Sequence, residues 1–281
     1  MNRSAATLAL RGSETVSVLG QGTWYMGDHR SKRGEEIAAL RLGIELGLNL
    51  IDTAEMYGSG RAESLVGEAI DGMRDQVFLV SKVLPSNASR GGVCRACEAS
   101  LKRLRTDRID LYLLHWSSHH PLADTIRGFE DLLLAGKIRH WGVSNFDVAE
   151  MEQLLATRGG EGGIVDQVLY NLTRRGIEHD LLPWCHDRAI AIMAYSPIEQ
   201  GRLLHHPALQ GVARRHGATP AQIALAWVLR QKNSVAIPKA ASAAHVRENR
   251  AALDIRLTEQ DIAELDRAFP PPAGPVPLEM L

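Results

Sequence analysis

The sequence predicts an α/β fold, and within that class a closed (β/α)8 TIM barrel, on three observations. Eight short runs rich in leucine and β-branched residues recur along the chain, separated by stretches with helical periodicity. Such alternation indicates a parallel sheet covered by helices. Eight units in roughly 250 residues match the usual size of the barrel. Finally, no run leads into the G-x-G-x-x-G turn of a doubly wound dinucleotide-binding sheet. The nearest imitation, Gly58-Ser59-Gly60, has Glu63 where the third glycine belongs and reads as a turn.

The elements follow in order. Residues 5–18 (ATLALRGSETVSVL) read as two short strands around Arg11-Gly12-Ser13-Glu14, a hairpin placed to cover the barrel floor. The eight strand candidates are 16–19 (VSVL), 48–52 (LNLID), 77–83 (VFLVSKV), 109–116 (IDLYLLHW), 140–145 (HWGVSN), 164–171 (IVDQVLYN), 190–197 (IAIMAYSP) and 235–239 (VAIPK). Between them, Ile37, Leu40, Ile44 and Leu48 follow the spacing of one helix face, and residues 149–155 and 221–229 read similarly. Thr219-Pro220-Ala221-Gln222 is a helix start: threonine caps, proline takes the first helical position and glutamine closes a capping box. Residues 258–269 form an extra amphipathic helix at the C-terminal side, with Ile262, Leu265 and Phe269 on one face. The proline-rich stretch 270–281 leaves no room for another element. Without a linker, repeat or low-complexity segment, residues 1–281 read as a single domain.

Composition narrows the function classes. Hydrophobic residues make up 45%, charged residues 23%, and the formal net charge is −1, which is ordinary for a soluble globular chain and shows no basic excess to suggest nucleic acid. No apolar run has the length of a membrane span, and MNRSAATLAL lacks the apolar core of a signal peptide. Three cysteines do not make a disulfide framework and suit a reducing compartment, so a cytoplasmic location is expected. Cys94 and Cys97 form a C-x-x-C, but within a helical run and with no second pair. They read as helix cysteines rather than zinc ligands. The pairs His119-His120 and His205-His206 lie in loop-like segments without matching carboxylates, and no metal site is expected.

In a barrel the βα loops gather where the strands finish, so polar residues at strand ends acquire a position as well as a type. The second strand ends with Asp52, the third with Lys82, the fourth with His115 and the fifth with Ser144 and Asn145. The sixth contains Gln167, and the seventh brings Tyr195 and Ser196. Singly, each reads as a cap, a snorkelling side chain or a satisfied core group. Together they say more. Lys82 follows a strongly apolar strand, where an unpaired ammonium is costly, and Asp52 on the adjacent strand is its natural partner. That pair gives Tyr57 a role. A phenol titrates near 10 when unperturbed, a neighbouring ammonium is expected to lower that value, and a general acid works best near the working pH. Lys82 would then tune Tyr57 and Asp52 would hold Lys82. His115 would share the proton or orient a carbonyl oxygen. Carbonyl reduction by hydride is one reaction that needs a proton delivered so. A Schiff-base lyase using Lys82 also fits a lysine at a strand end.

With these residues in view the sequence resembles the aldo-keto reductases over nearly its whole length. GQGTWYMG is similar to the family's opening strand and loop, LIDTAEMYGSGRAESLVGEAI to its Asp/Tyr signature and VSKV to its lysine strand. DLYLLHW is similar to its histidine strand, GKIRHWGVSNF to its Ser-Asn loop, and IPKA with HVRENRAAL to its cofactor clamp. Within the family the chain looks most like short bacterial members of the YeaE type, associated with reduction of methylglyoxal and other small aldehydes.

The resemblance implies that Asp52, Tyr57, Lys82 and His115 form the catalytic tetrad, with Tyr57 as proton donor. It implies that Ser144, Asn145 and Gln167 bind the nicotinamide carboxamide, that Tyr195 stacks on the ring, and that Thr23, Trp24 and Ser196 also contact the cofactor. Trp24, Met56 and Trp116 are implied as substrate-pocket walls. Lys239 stands where the family grips the adenosine 2′-phosphate, and Glu248 and Asn249 match the adenine contacts. The chain departs from the family at His245, where an arginine is usual. An imidazole lacks the guanidinium's permanent charge and fork of donors. NADPH is therefore the expected cofactor, with a weakened preference and NADH tolerated. The short C-terminal tail implies an open site for varied small aldehydes. The expected partner is a small carbonyl substrate, with no nucleic acid or membrane, and the expected state is a monomer. Some relatives of this fold bind the cofactor and serve as regulatory subunits; the complete tetrad favours an enzyme.

Overall fold

The structure is a computed structural model that describes residues 6–11 and 14–281. It opens with an antiparallel pair, β1 (Thr7–Ala9) and β2 (Thr15–Ser17). Gly12 and Ser13 of the expected hairpin turn lie outside the described residues. Eight parallel strands follow: β3 (Gln21–Gly22), β4 (Leu50–Asp52), β5 (Phe78–Val83), β6 (Ile109–Leu114), β7 (Ile138–Ser144), β8 (Gly163–Leu169), β9 (Ala191–Tyr195) and β10 (Ser234–Ala236). Each pairs with the next in chain order. The ring closes between β10 and β3, where Gly20 N–H donates to the Ala236 carbonyl at 2.8 Å and Gly22 N–H to Pro238 at 3.0 Å.

The helices are α1 (Arg33–Glu45), α2 (Arg61–Ala69), α3 (Arg90–Leu104), α4 (Leu122–Leu134), α5 (Val148–Ala156), α6 (Leu181–Asp187), α7 (Pro207–Arg215), α8 (Pro220–Leu229), α9 (Ala243–Ala251) and α10 (Glu259–Ala268). Local chemistry explains their ends. Asp147, Thr219 and Thr258 each close a capping box, with Glu150, Gln222 and Asp261 at the third helical position. α1 stops short of Leu48 because Gly47 turns left-handed at φ 85°; the Leu48 N–H then bonds back to the Gly43 carbonyl.

Two core layers result. Side chains between strands and helices form one cluster. The lumen is filled by a second, which includes Leu50, Phe78, Val80, Leu111, Leu113, Val165, Met193, Val235 and Ile237. Leu10 and Val16 from the N-terminal hairpin belong to this inner cluster, so the hairpin does close the floor.

The structure corrects one strand and adds one helix. Of the run 16–19, expected as the first barrel strand, Val16 and Ser17 belong to β2, Leu19 makes only a single bridge to Ala236, and the first barrel strand is Gln21–Gly22. Its glycines hid it from the hydrophobic pattern, yet the seam requires them: a Cβ on Gly22 would lie 2.7 Å from the Ile237 carbonyl oxygen. The additional helix is α7, in the long β9–β10 connection, and α10 packs against it. Among the described residues no helix is long and apolar enough to cross a membrane.

Candidate active site

Successive side chains of a strand face opposite ways, so a polar strand-end residue reaches the lumen only if it keeps the parity of the lumen-filling residues. Six strands keep it. Leu50 leads by two to Asp52, Val80 to Lys82, Leu113 to His115, Val165 to Gln167, Met193 to Tyr195, and Ile237 to Lys239. Ser144 lies two beyond Gly142, whose absent Cβ would sit 3.0 Å from a Leu113 methyl. A polar ring therefore crowns an apolar plug at the C-terminal ends of the strands.

At its centre Lys82 is fully buried beside nearly buried Asp52. The Lys82 Nζ donates to both Asp52 carboxylate oxygens at 2.8 Å, to the Thr53 carbonyl at 2.8 Å and to the Tyr57 hydroxyl at 3.2 Å. Four oxygens around one ammonium leave no free amine for a Schiff base, which removes the main attraction of the lyase reading. Tyr57 opens a tight turn in which Gly58, Ser59 and Gly60 all take positive φ. That reversal swings its ring over the mouth, edge-on to His115 at a centroid distance of 5.8 Å. Because the Tyr57 oxygen accepts from Lys82, its own proton is left to point into the cavity.

The electrostatics differ from expectation. Burial, followed by the Asp52 charge, raises the Tyr57 phenol well above its ordinary value. The expected lowering by Lys82 fails because the Asp52 carboxylate neutralises the ammonium at contact distance. Tyr57 is thus a firmly protonated phenol. Burial also lowers Lys82, while Asp52 opposes it. His115 is pushed down to about 3 by burial and by Lys82, so near neutral pH it is an uncharged imidazole. It can donate or accept a hydrogen bond, but it does not share a proton as an imidazolium.

The expected carboxamide trio is brought together and interlinked. Ser144 Oγ donates to the Gln167 carbonyl at 2.7 Å, and Asn145 Nδ2 donates to the His115 carbonyl and to Ser144 Oγ at 3.1 Å each. Tyr195 donates to Asn145 Oδ1 at 3.0 Å, and Gln167 Nε2 donates to Asp52 Oδ1 at 2.7 Å. The Thr23 hydroxyl is spent on the Asp52 carbonyl at 2.9 Å, so it supports the tetrad backbone.

Two chambers meet at Trp24, Tyr57 and Tyr195, which line both. The smaller, about 200 Å³, is bounded by Met56, His115, Trp116, Ser144, Asn145, Gln167, Met280 and Leu281. The larger, about 480 Å³, runs outward past Thr23, Ser196, Pro197, Ile198, Gln200 and Gly201 to Lys239, His245, Glu248 and Asn249. At its far end Lys239 is exposed and has no ion pair among the described residues, and Ser242 caps α9 by accepting from His245 N–H. A free ammonium beside a helix N-terminus suits an anionic group. An elongated cleft with such an end, and amide groups at the other, fits a phosphorylated dinucleotide. Glu248 is partly engaged, accepting from the Thr219 hydroxyl.

Some lining residues were not anticipated. The tail 270–281 forms no helix or strand, but Met280 and Leu281 wall the small chamber. Both are about half exposed, so the expected open site gains two tail residues at its rim. Tyr25, 58% exposed, stacks on Trp24 at 4.5 Å. Of the nine non-glycine residues with positive φ among those described, Tyr25, Ser59, Asn145, Ser196, Glu199 and Gln200 lie on this face, and such strain gathers at functional sites. An exposed aromatic in the glycine-rich loop was the available signal for Tyr25. Nothing in 270–281 marked the tail.

Comparison with known proteins agrees with this geometry. The family model described as "Aldo/keto reductase family" matches residues 18–269. The chain is 51% identical to methylglyoxal reductase YeaE of Escherichia coli K12, over 96% of this chain and 97% of that protein. It superposes on an aldo/keto reductase from Klebsiella pneumoniae in complex with NADP and acetate with a TM-score of 0.96 and 50% identity, covering 99% of this chain and all of that one. A second Klebsiella pneumoniae aldo-keto reductase structure, in complex with NADPH, gives a TM-score of 0.97 at 49% identity, with coverage of 99% and 100%.

Proposed function

The chain belongs to the aldo/keto reductase family, and on that premise we propose that it reduces aldehydes and ketones to alcohols with NADPH. Small or aromatic aldehydes and methylglyoxal-like dicarbonyls are the proposed substrates, and Tyr57 is the proposed general acid. One observation carries the reading: the Lys82 ammonium joins Asp52 to the Tyr57 hydroxyl where the two chambers meet. When bound, the reduced nicotinamide supplies hydride. The residues here would supply the rest.

The carbonyl oxygen gains negative charge as its carbon is reduced, and Tyr57 Oη is positioned to donate the proton it needs. The phenolate left behind is stabilised by Lys82 Nζ, 3.2 Å away, with Asp52 holding that ammonium in place. Uncharged His115 would hydrogen-bond the carbonyl oxygen and set its angle of approach. Trp24, Met56 and Trp116, with Met280 and Leu281, would exclude water and hold the substrate's apolar part. Where the two chambers meet, Ser144, Asn145 and Gln167 of the smaller one would hold the carboxamide and Tyr195, which lines both, the ring. Thr23 and Ser196 would flank them, Lys239 and His245 would face the 2′-phosphate, and Glu248 and Asn249 the adenine. The reading extends to one catalytic domain over residues 1–281 acting as a cytoplasmic monomer; a continuous core from Leu19 to Phe269 supports the first of these.

The test is NADPH oxidation with methylglyoxal and 4-nitrobenzaldehyde. Tyr57→Phe is expected to lower kcat by about 10²–10⁴-fold while the NADPH Kd stays within about two-fold. Turnover that survives the substitution would remove Tyr57 from its role. NADPH binding without turnover on any carbonyl would favour a regulatory subunit instead.

A further inference from the structure

The turn between β8 and α6 carries a polar hub outside the tetrad. Asn171 Nδ2 donates to the Ser196 carbonyl at 2.9 Å and to Glu199 Oε2 at 2.8 Å. Arg174 reaches the other oxygen of Glu199 through Nη2 at 3.3 Å, and through Nη1 it pairs with Glu279. Glu199 is almost buried, in a segment where Ser196, Glu199 and Gln200 all hold positive φ. Such backbone persists only when its surroundings hold it. This segment lines the larger chamber, while Glu279 immediately precedes Met280 and Leu281, the walls of the smaller one. The next residue, Arg175, donates to the Phe269 carbonyl and so anchors the start of the tail. Between turn and tail lies a cavity of about 330 Å³, lined by both Arg174 and Glu279.

We propose that Arg174 is a positioning residue that ties the wall of the substrate chamber to the strap over the cofactor cleft, making the pocket's selectivity for bulky aldehydes depend on one guanidinium. The proposal rests on the assignment of the two chambers made above. Arg174 forms ion pairs with both segments: its planar fork can serve two carboxylates at once, which a lysine's point charge serves poorly. A bulky aromatic aldehyde would touch Met280 and Leu281, whereas a small dicarbonyl would be held by the tetrad alone.

The experiment compares wild type with Arg174→Met, Glu279→Gln, their double variant and Arg174→Lys. Arg174→Met is expected to raise KM for 4-nitrobenzaldehyde about two- to five-fold, the range an exposed pair supports, with kcat and the methylglyoxal KM unchanged. It should also weaken NADPH binding, through Glu199. Glu279→Gln should reproduce the aldehyde effect and leave NADPH binding alone, and the double variant should add nothing to the aldehyde KM of Arg174→Met. Arg174→Lys should fall between. Equal shifts in both aldehyde KM values, or additive effects of the two substitutions, would overturn the proposal. Amide hydrogen exchange of residues 276–281 is the independent readout: it should quicken in Arg174→Met even if no aldehyde proves to be a substrate. That result would sink the activity and leave the tie standing, whereas unchanged exchange would sink the tie.

Discussion

Lys82 has no water to lean on, and its four oxygen neighbours replace the hydration it lost on burial. Removing one member of a buried pair leaves the other uncompensated, at roughly 3–5 kcal/mol. Asp52→Ala should therefore lower unfolding free energy by about that amount in a urea titration, in addition to its effect on turnover. The pairing itself was legible, because an apolar strand ending in lysine beside one ending in aspartate has few alternatives. The protonation states were not. His115 sits at about 3 and the Tyr57 phenol well above its ordinary range, both mainly through burial, which a string of residues does not reveal. Neither group then changes charge around neutrality. The pH profile of kcat/KM for aldehyde reduction should be level from ~6 to ~9, lacking the step near 6.5 that an ordinary histidine would impose. A step there in steady-state kinetics would count against a buried, uncharged His115.

Strand β8 shows how one element serves two faces. Gln167 points into the lumen, and its neighbour Asp166 is consequently turned away from it, fully buried. Neither Asp166 carboxylate oxygen has a well-formed hydrogen bond. Burial drives its carboxyl well above 3.8, only partly opposed by the Phe146 backbone N–H. The folded protein thus keeps a proton that the unfolded chain releases above 3.8, so stability falls as pH rises from there towards the raised folded value, by ~1.4 kcal/mol per pH unit. Asp166→Asn keeps the shape without the proton. It should raise Tm at pH ~7 and lose that advantage as the pH approaches ~4, as paired melting curves would show. Equal Tm values throughout would mean Asp166 is charged and solvated. The pattern 164–171 predicted this strand, and the Thr219 cap the start of α8, because both depend on short-range chemistry. Strand β3 escaped the pattern for the opposite reason: a seam where backbones nearly touch selects glycine over the branched residues that advertise a strand.

At the scale of the whole barrel, the larger chamber, proposed above as the cofactor cleft, spans residues from Gly22 to Asn249, and the proposed selectivity between NADPH and NADH rests on its far end. Lys239 and His245 face it there, with imidazole in place of a guanidinium. His245→Arg should tighten NADPH more than NADH, as fluorescence titration of both would measure; equal changes would refute the role of this position. The alternation of strand and helix, the caps, and the parity that sends Asp52, Lys82, His115, Gln167, Tyr195 and Lys239 to one mouth are all written in the order of residues. Those properties repeat with the local geometry of the chain, so nearby residues suffice to read them. That Gln21–Gly22 seals the ring, that Tyr57 keeps its proton, and that Met280 and Leu281 return to line the small chamber emerges only from the folded chain. Each of these depends on contacts between residues far apart in the chain, whose desolvation and close approach exist only once the barrel has closed.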